Sequence, residues 1–102
     1  MAVQEKVSIP KEEIASFCRQ NRIKELALFG SVLRDGFRQD SDVDVLVDFE
    51  LNAGHSLFDF IRMQEELSRL FGRKVDLVEK TGLHNPFRRY EILRTRQVIF
   101  AS

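Results

Sequence analysis

The stretch LALFGSVLRDGFRQDSDVDVLVDF, residues 26–49, decides the fold. Glu25 to Phe29 is a short apolar run that stops at Gly30. Its length and glycine stop predict a buried strand rather than a helix. Ser31 can cap a brief helical turn reaching Arg34. Asp35-Gly36 is turn-forming, Arg38 to Ser41 is polar, and Asp42 to Asp48 has the β-branched content of a second strand. In that strand the first four residues alternate acid and valine, so Asp42 and Asp44 share one face, ~7 Å apart along the chain, while Val43 and Val45 take the other.

Outward from this centre, Pro10 suits a first helical turn, Glu12 and Glu13 suit its positive end, and Ile14, Phe17 and Cys18 fall on one face. Ser56 to Phe71 begins with a capping serine, repeats apolar residues at Leu57, Phe60, Ile61, Leu67 and Leu70, and stops at Gly72. Lys74 to Val78 reads as a third strand. A helix follows Pro86, around Tyr90 to Thr95, before a final apolar Val98-Ile99-Phe100. Strands interspersed with helices in 102 residues predict one α+β domain over residues 1–102: a small mixed sheet with helices on one face.

Sixteen basic and sixteen acidic residues cancel, which argues against bulk binding to a nucleic-acid backbone. The charge is uneven, however. Asp40, Asp42, Asp44, Asp48 and Glu50 crowd residues 40–50, whereas Arg88, Arg89, Arg94 and Arg96 face only Glu91 in residues 86–96. The single cysteine, Cys18, excludes an internal disulfide and a cysteine-based zinc cluster, fits a reducing compartment, and is expected in the core. The charged N-terminus does not read as a secretory signal and no apolar stretch approaches membrane-spanning length, so a cytoplasmic location is expected. His55 and His84 lie in polar loops and are expected to face solvent without a role; Phe58 and Phe87 are candidates for exposure to a partner.

The chemistry resides in the carboxylates. Asp-x-Asp alone is commonly the wet face of a half-buried strand, but here it follows Gly30-Ser31 at a fixed distance. In Lys74 to Val78, Asp76 takes the face opposite Val75 and Leu77, so it joins Asp42 and Asp44 if the two strands are neighbours. Three such carboxylates repel unless a cation or a proton intervenes. Their hard oxygens predict Mg²⁺ or Mn²⁺ rather than zinc, and magnesium that keeps water and substrate phosphates in its shell anticipates a nucleotide. Gly30 allows close approach of a phosphate, Ser31 and the following N–H groups donate to it, and Arg34 can reach an oxygen. Asp76 is the candidate to bind the ion at the attacking hydroxyl and to receive its proton.

Gly30-Ser31, ten residues, then Asp42-Val43-Asp44 resembles the nucleotidyltransferase superfamily related to the palm of DNA polymerase β. By average residue frequencies, four residues so spaced occur by chance in roughly one chain of this length in a thousand. The stretch around the motif looks like the minimal nucleotidyltransferases that serve as antitoxins beside HEPN-domain toxins. The resemblance implies a palm-like fold, a third carboxylate at Asp76, and metal-dependent transfer of AMP from ATP to a tyrosine of the partner toxin. Arg34 matches a family arginine, whereas Asp35 stands where many members have glycine. Two other functions are compatible with the same core: an antitoxin that neutralises by binding and occlusion alone, and a transferase acting on a small molecule such as an aminoglycoside. The basic stretches Phe87 to Tyr90 and Arg94 to Arg96 are expected to hold triphosphate charge, contact a partner, or remain a solvated helix face.

Overall fold

Val43, Val45 and Val47 point to one side of the second strand and are fully buried, and the chain is organised around them. The computed structural model describes residues 7–34, 38 and 40–102; the expected turn at Asp35-Gly36 and the departure at Asp35 lie outside them. The elements are α1 (Lys11–Gln20), β1 (Ile23–Phe29), a 3₁₀ turn (Gly30–Leu33), β2 (Val43–Phe49), α2 (Leu57–Phe71), β3 (Val75–Glu79), a second 3₁₀ turn (Lys80–Gly82), α3 (Pro86–Thr95) and β4 (Gln97–Ala101). The sheet order is β3-β2-β1-β4. β1 runs antiparallel to β2 and β4, and β2 runs parallel to β3, which makes the sheet mixed, as expected.

The helices α1 and α2 cover the face carrying Leu26, Leu28, Val43, Val45, Val47, Val75 and Leu77, through Ile14, Phe17, Cys18, Met63, Leu67 and Phe71. Burial pushes the Cys18 thiol up to about 12, so it is an inert core group. A second, smaller core occupies the reverse face, where Ala27, Phe29 and Leu46 meet Leu83 and Ile92. The third helix therefore lies opposite the other two, which corrects the expectation of helices on one face only. Its apolar content is modest, but the reverse faces of β1 and β2 are themselves apolar at Ala27 and Leu46 and must be covered.

α2 begins where the sequence says it should. Ser56 accepts a hydrogen bond from the Asp59 N–H at 3.2 Å, and the Asp59 carboxylate accepts from the Ser56 N–H at 2.9 Å, a reciprocal cap. Gly72 closes the helix in the left-handed region, at φ 70°. Ser56→Ala is expected to cost about 1 kcal/mol of unfolding free energy, read as a lower midpoint at unchanged slope in urea. α2 also protects the outer edge of β3: Ser68 Oγ accepts from Val75 N–H at 3.0 Å and Gln64 Oε1 from Leu77 N–H at 2.9 Å. These bonds fix β3, and hence Asp76 between them.

The structure corrects three further details. Ser31 lies inside the 3₁₀ turn, which has no side-chain cap. Leu57 and Ile61 stay 73% and 45% exposed, because the buried stripe of α2 runs through Met63, Leu67 and Phe71 instead. His55 is not idle in solvent: Nε2–H donates to the Asn21 carbonyl at 2.6 Å and the ring packs on Phe49 at 4.8 Å, joining two loops. His84 is exposed, as expected.

Candidate active site

Phe29, Asp44 and Asp76 lie in one row across three strands, because Phe29 pairs with Asp44 and Asp44 with Asp76. Neighbouring strands are ~4.8 Å apart, so the Asp44 and Asp76 side chains project side by side from the reverse face of the sheet. Asp42 precedes β2 by one residue and carries its carboxylate toward Lys74, whose Nζ is 3.9 Å away. The three aspartates thus share one end of the sheet. Asp44 and Asp76 are brought together, and Asp42 stands at the margin. Among the described residues no three carboxylate, imidazole or thiol groups converge as a ready-made metal cage.

Asp44 is the most constrained of them. Burial pushes its carboxyl up from the ordinary range, the Asp76 charge adds to this, the Ser31 main-chain N–H opposes it, Asp42 raises it again, and Arg88 pulls it back. A carboxylate crowded by two others and only partly relieved by N–H and guanidinium groups fits a divalent cation, which would remove the repulsion. The donor set is all oxygen, as Mg²⁺ or Mn²⁺ requires.

Gly30 has φ +74°, and a Cβ placed there would overlap Asp44 Oδ2. Glycine is therefore required twice, for the backbone region and for room beside the carboxylate. The turn from Gly30 to Leu33 rises directly from β1 and forms one wall of a cleft of about 640 Å³, the size of a small-molecule site. Phe29, Gly30, Ser31, Leu33, Arg34 and Asp44 line that wall. Asp42 and Asp76 flank the cleft without lining it.

The opposite wall was singled out from the sequence only in Arg88, expected to hold triphosphate charge or contact a partner, and not in Glu91, Ile92 or Thr95. It consists of Arg88, Glu91, Ile92 and Thr95, the i, i+3, i+4, i+7 face of α3. That spacing was present in the sequence, but nothing local says which face of α3 meets the sheet. Tertiary contacts fix the helix there. Arg96 Nε donates to Glu25 Oε2 at 2.7 Å, and Arg89 donates to the Lys80 carbonyl at 2.9 Å. The Arg96 guanidinium holds the Glu25 carboxyl below the usual carboxylate range.

A second groove, about 680 Å³, lies at the far end of the sheet, between the loop after β2 and the start of α2. Its charged members are partly spoken for, with Asp48 3.5 Å from Lys80 and His55 bound to Asn21. Beside it Leu51, Leu57 and Phe58 are exposed at 88%, 73% and 84%. Among the described residues no helix is long and apolar enough to cross a membrane.

The comparisons with known proteins agree with this geometry. Residues 11–99 match the nucleotidyltransferase domain family. A Methanocaldococcus jannaschii protein assigned as a protein adenylyltransferase is 38% identical over 66 residues, 65% of this chain and 66% of the relative. The protein adenylyltransferase MntA of Thermococcus cleftensis is 48% identical over 61 residues, 60% of each. The chain thus spans just under two thirds of the length of these relatives. A solved structure described as a minimal nucleotidyltransferase superposes with a TM-score of 0.73 at 35% identity, covering 94% of both chains. At 16% identity, where likeness speaks for the fold alone, the complex of a tri-AMPylated Shewanella oneidensis HEPN toxin with its MNT antitoxin gives a TM-score of 0.63 over 90% of this chain and 70% of that one. With Gly30-Ser31 set against Asp44 at the end of a mixed sheet, and with nearly the whole chain matched, this protein belongs to the minimal nucleotidyltransferase family of the polymerase β-like superfamily.

Proposed function

We propose that this chain is a metal-dependent protein adenylyltransferase that moves AMP from ATP to a tyrosine of a HEPN-type toxin and thereby silences it in the cytoplasm. The observation that carries the reading is Asp44, paired with Asp76 across parallel strands and pressed against Gly30 at the edge of a nucleotide-sized cleft. Asp42, Asp44 and Asp76 would hold Mg²⁺ or Mn²⁺, which supplies charge neutralisation at the phosphates and acidifies the attacking hydroxyl. Gly30, the Ser31 hydroxyl, and Arg34 bind the triphosphate. The tyrosine oxygen attacks the α-phosphorus, the bond to the β-phosphate oxygen breaks, pyrophosphate leaves, and Asp76 accepts the phenolic proton. The named activities of the relatives and the antitoxin in the structural neighbour support the choice of acceptor.

The exposed Leu51, Leu57 and Phe58 favour a second reading, neutralisation by occlusion, because large apolar side chains left in solvent together commonly mark a protein contact. Co-expression with the product of the adjacent gene separates the two. The partner's intact mass is recorded with wild-type chain and with the Asp42→Asn, Asp44→Asn variant. Whole AMP increments with the wild type alone support transfer; a stable, neutralised complex with no mass change in either case replaces it with occlusion.

A further inference from the structure

We infer that Arg88 is a triphosphate-binding residue of the cleft, placed across from Gly30-Ser31 to take the β- and γ-phosphates, so that the chain distinguishes a nucleoside triphosphate from a monophosphate. The inference rests on the nucleotide reading above and deepens it.

The arginines of the 86–96 segment are not equivalent. Arg89 is occupied by the Lys80 carbonyl at 2.9 Å, and Arg94 grips both oxygens of Glu91 at 2.8 and 2.9 Å. Arg96 is bound to Glu25 at 2.7 Å. The Arg88 guanidinium makes no hydrogen bond or ion pair with the described residues, is exposed, and lines the same cleft as Gly30, Ser31 and Asp44. Its charge reaches Asp44. Glu91, the acid on the same wall, is already neutralised by Arg94, so it does not compete for Arg88.

The backbone beneath Arg88 is held firmly. Asn85 Oδ1 accepts from Phe87 N–H at 3.0 Å and from Arg88 N–H at 3.1 Å, and Pro86 begins the helix with its φ already set. A guanidinium on this first turn has the added positive end of a ten-residue helix behind it. The reacting α-phosphate must sit beside Asp44 and Asp76. The remaining phosphate charge then needs a cation on the facing wall, and Arg88 supplies one with a fork that suits two phosphate oxygens.

Calorimetric titration of the purified chain with AMP, ADP and ATP in the presence of Mg²⁺ tests this, using wild type, Arg88→Ala, Arg88→Lys and, as a control, Arg62→Ala on the far helix. Arg88→Ala is expected to weaken ATP about 10- to 100-fold and AMP less than about twofold. Arg88→Lys should recover part of the ATP affinity, and Arg62→Ala should match wild type. Equal effects on ATP and AMP, or no effect on ATP, overturn the assignment while leaving the nucleotide reading in place. Failure of the folded wild type to bind any of the three overturns both. If Arg88→Ala keeps full ATP affinity yet lowers modification of the acceptor, Arg88 is a partner contact and the inference is wrong.

Discussion

Asp44→Asn is expected to abolish nucleotidyl transfer, by about 10³-fold or more, while raising the melting temperature of the cation-free protein. The first effect follows from removing a carboxylate at the centre of the row formed with Asp76 and Phe29. Loss of metal-assisted charge stabilisation is worth several kcal/mol, and about 4 kcal/mol is about 10³ in rate. The second follows from the sign of the Asp44 shift. Its carboxyl is raised in the folded chain by burial and by Asp76 and Asp42. A carboxyl with a raised folded pKa favours the native state when protonated and disfavours it once pH has risen through that value, so at neutral pH ionised Asp44 destabilises the cation-free fold. The neutral amide removes this cost and keeps the shape. Transfer to acceptor, measured in single turnover, and thermal melts at pH 5 and pH 7.5 check the pair. The stabilisation should be larger at pH 7.5. Transfer above a tenth of wild type, or a melting gain confined to pH 5, would contradict the assignment of Asp44.

Gly30→Ala carries the second large effect, this time on both stability and activity. A methyl group at residue 30 meets Asp44 Oδ2 head-on, and alanine is disfavoured at φ +74°. The chain must move the turn, the carboxylate or both. The expected cost is about 1–3 kcal/mol in unfolding free energy, and a displacement of about 1 Å at reacting groups is enough for about 10²-fold in rate. Denaturant unfolding and transfer kinetics on the same preparation decide the matter. Gly72→Ala is the control for backbone strain alone, since Gly72 has φ +70° with nothing within 4 Å of the added methyl. It should lose stability and keep its rate. Equal rate losses at the two glycines would show that position 30 matters only for folding.

Much of this was legible without the fold. Leu26 to Phe29 is a short apolar run stopped by glycine and Val43 to Val47 is rich in β-branched valine, so both read as buried strands, and strand alternation puts Asp44 on the face opposite Val43 and Val45. Ser56 and Gly72 bounded α2 because each meets a local backbone demand: an oxygen for a free N–H at the start, and a left-handed residue at the end. Local rules reached no further. They gave Leu57 and Ile61 to the core stripe of α2, which in the folded chain passes through Met63, Leu67 and Phe71. They left His55 in solvent, because its acceptor, the Asn21 carbonyl, is 34 residues away.

The sequence by itself determined the residue types of the site and their spacing along the chain, since a Gly-Ser turn after one strand and an Asp-x-Asp at the start of the next are matters of a few neighbouring residues. Only the tertiary structure decided that β3 pairs in parallel with β2, which puts Asp76 beside Asp44, and that α3 crosses to the reverse face with Arg88, Glu91, Ile92 and Thr95 turned to the cleft. Both depend on contacts between distant segments: the main-chain ladder of two strands about thirty residues apart, and Glu25 holding Arg96 across 71 residues. Such pairings arise from burying two faces of one sheet at once, a condition that no local stretch of sequence contains.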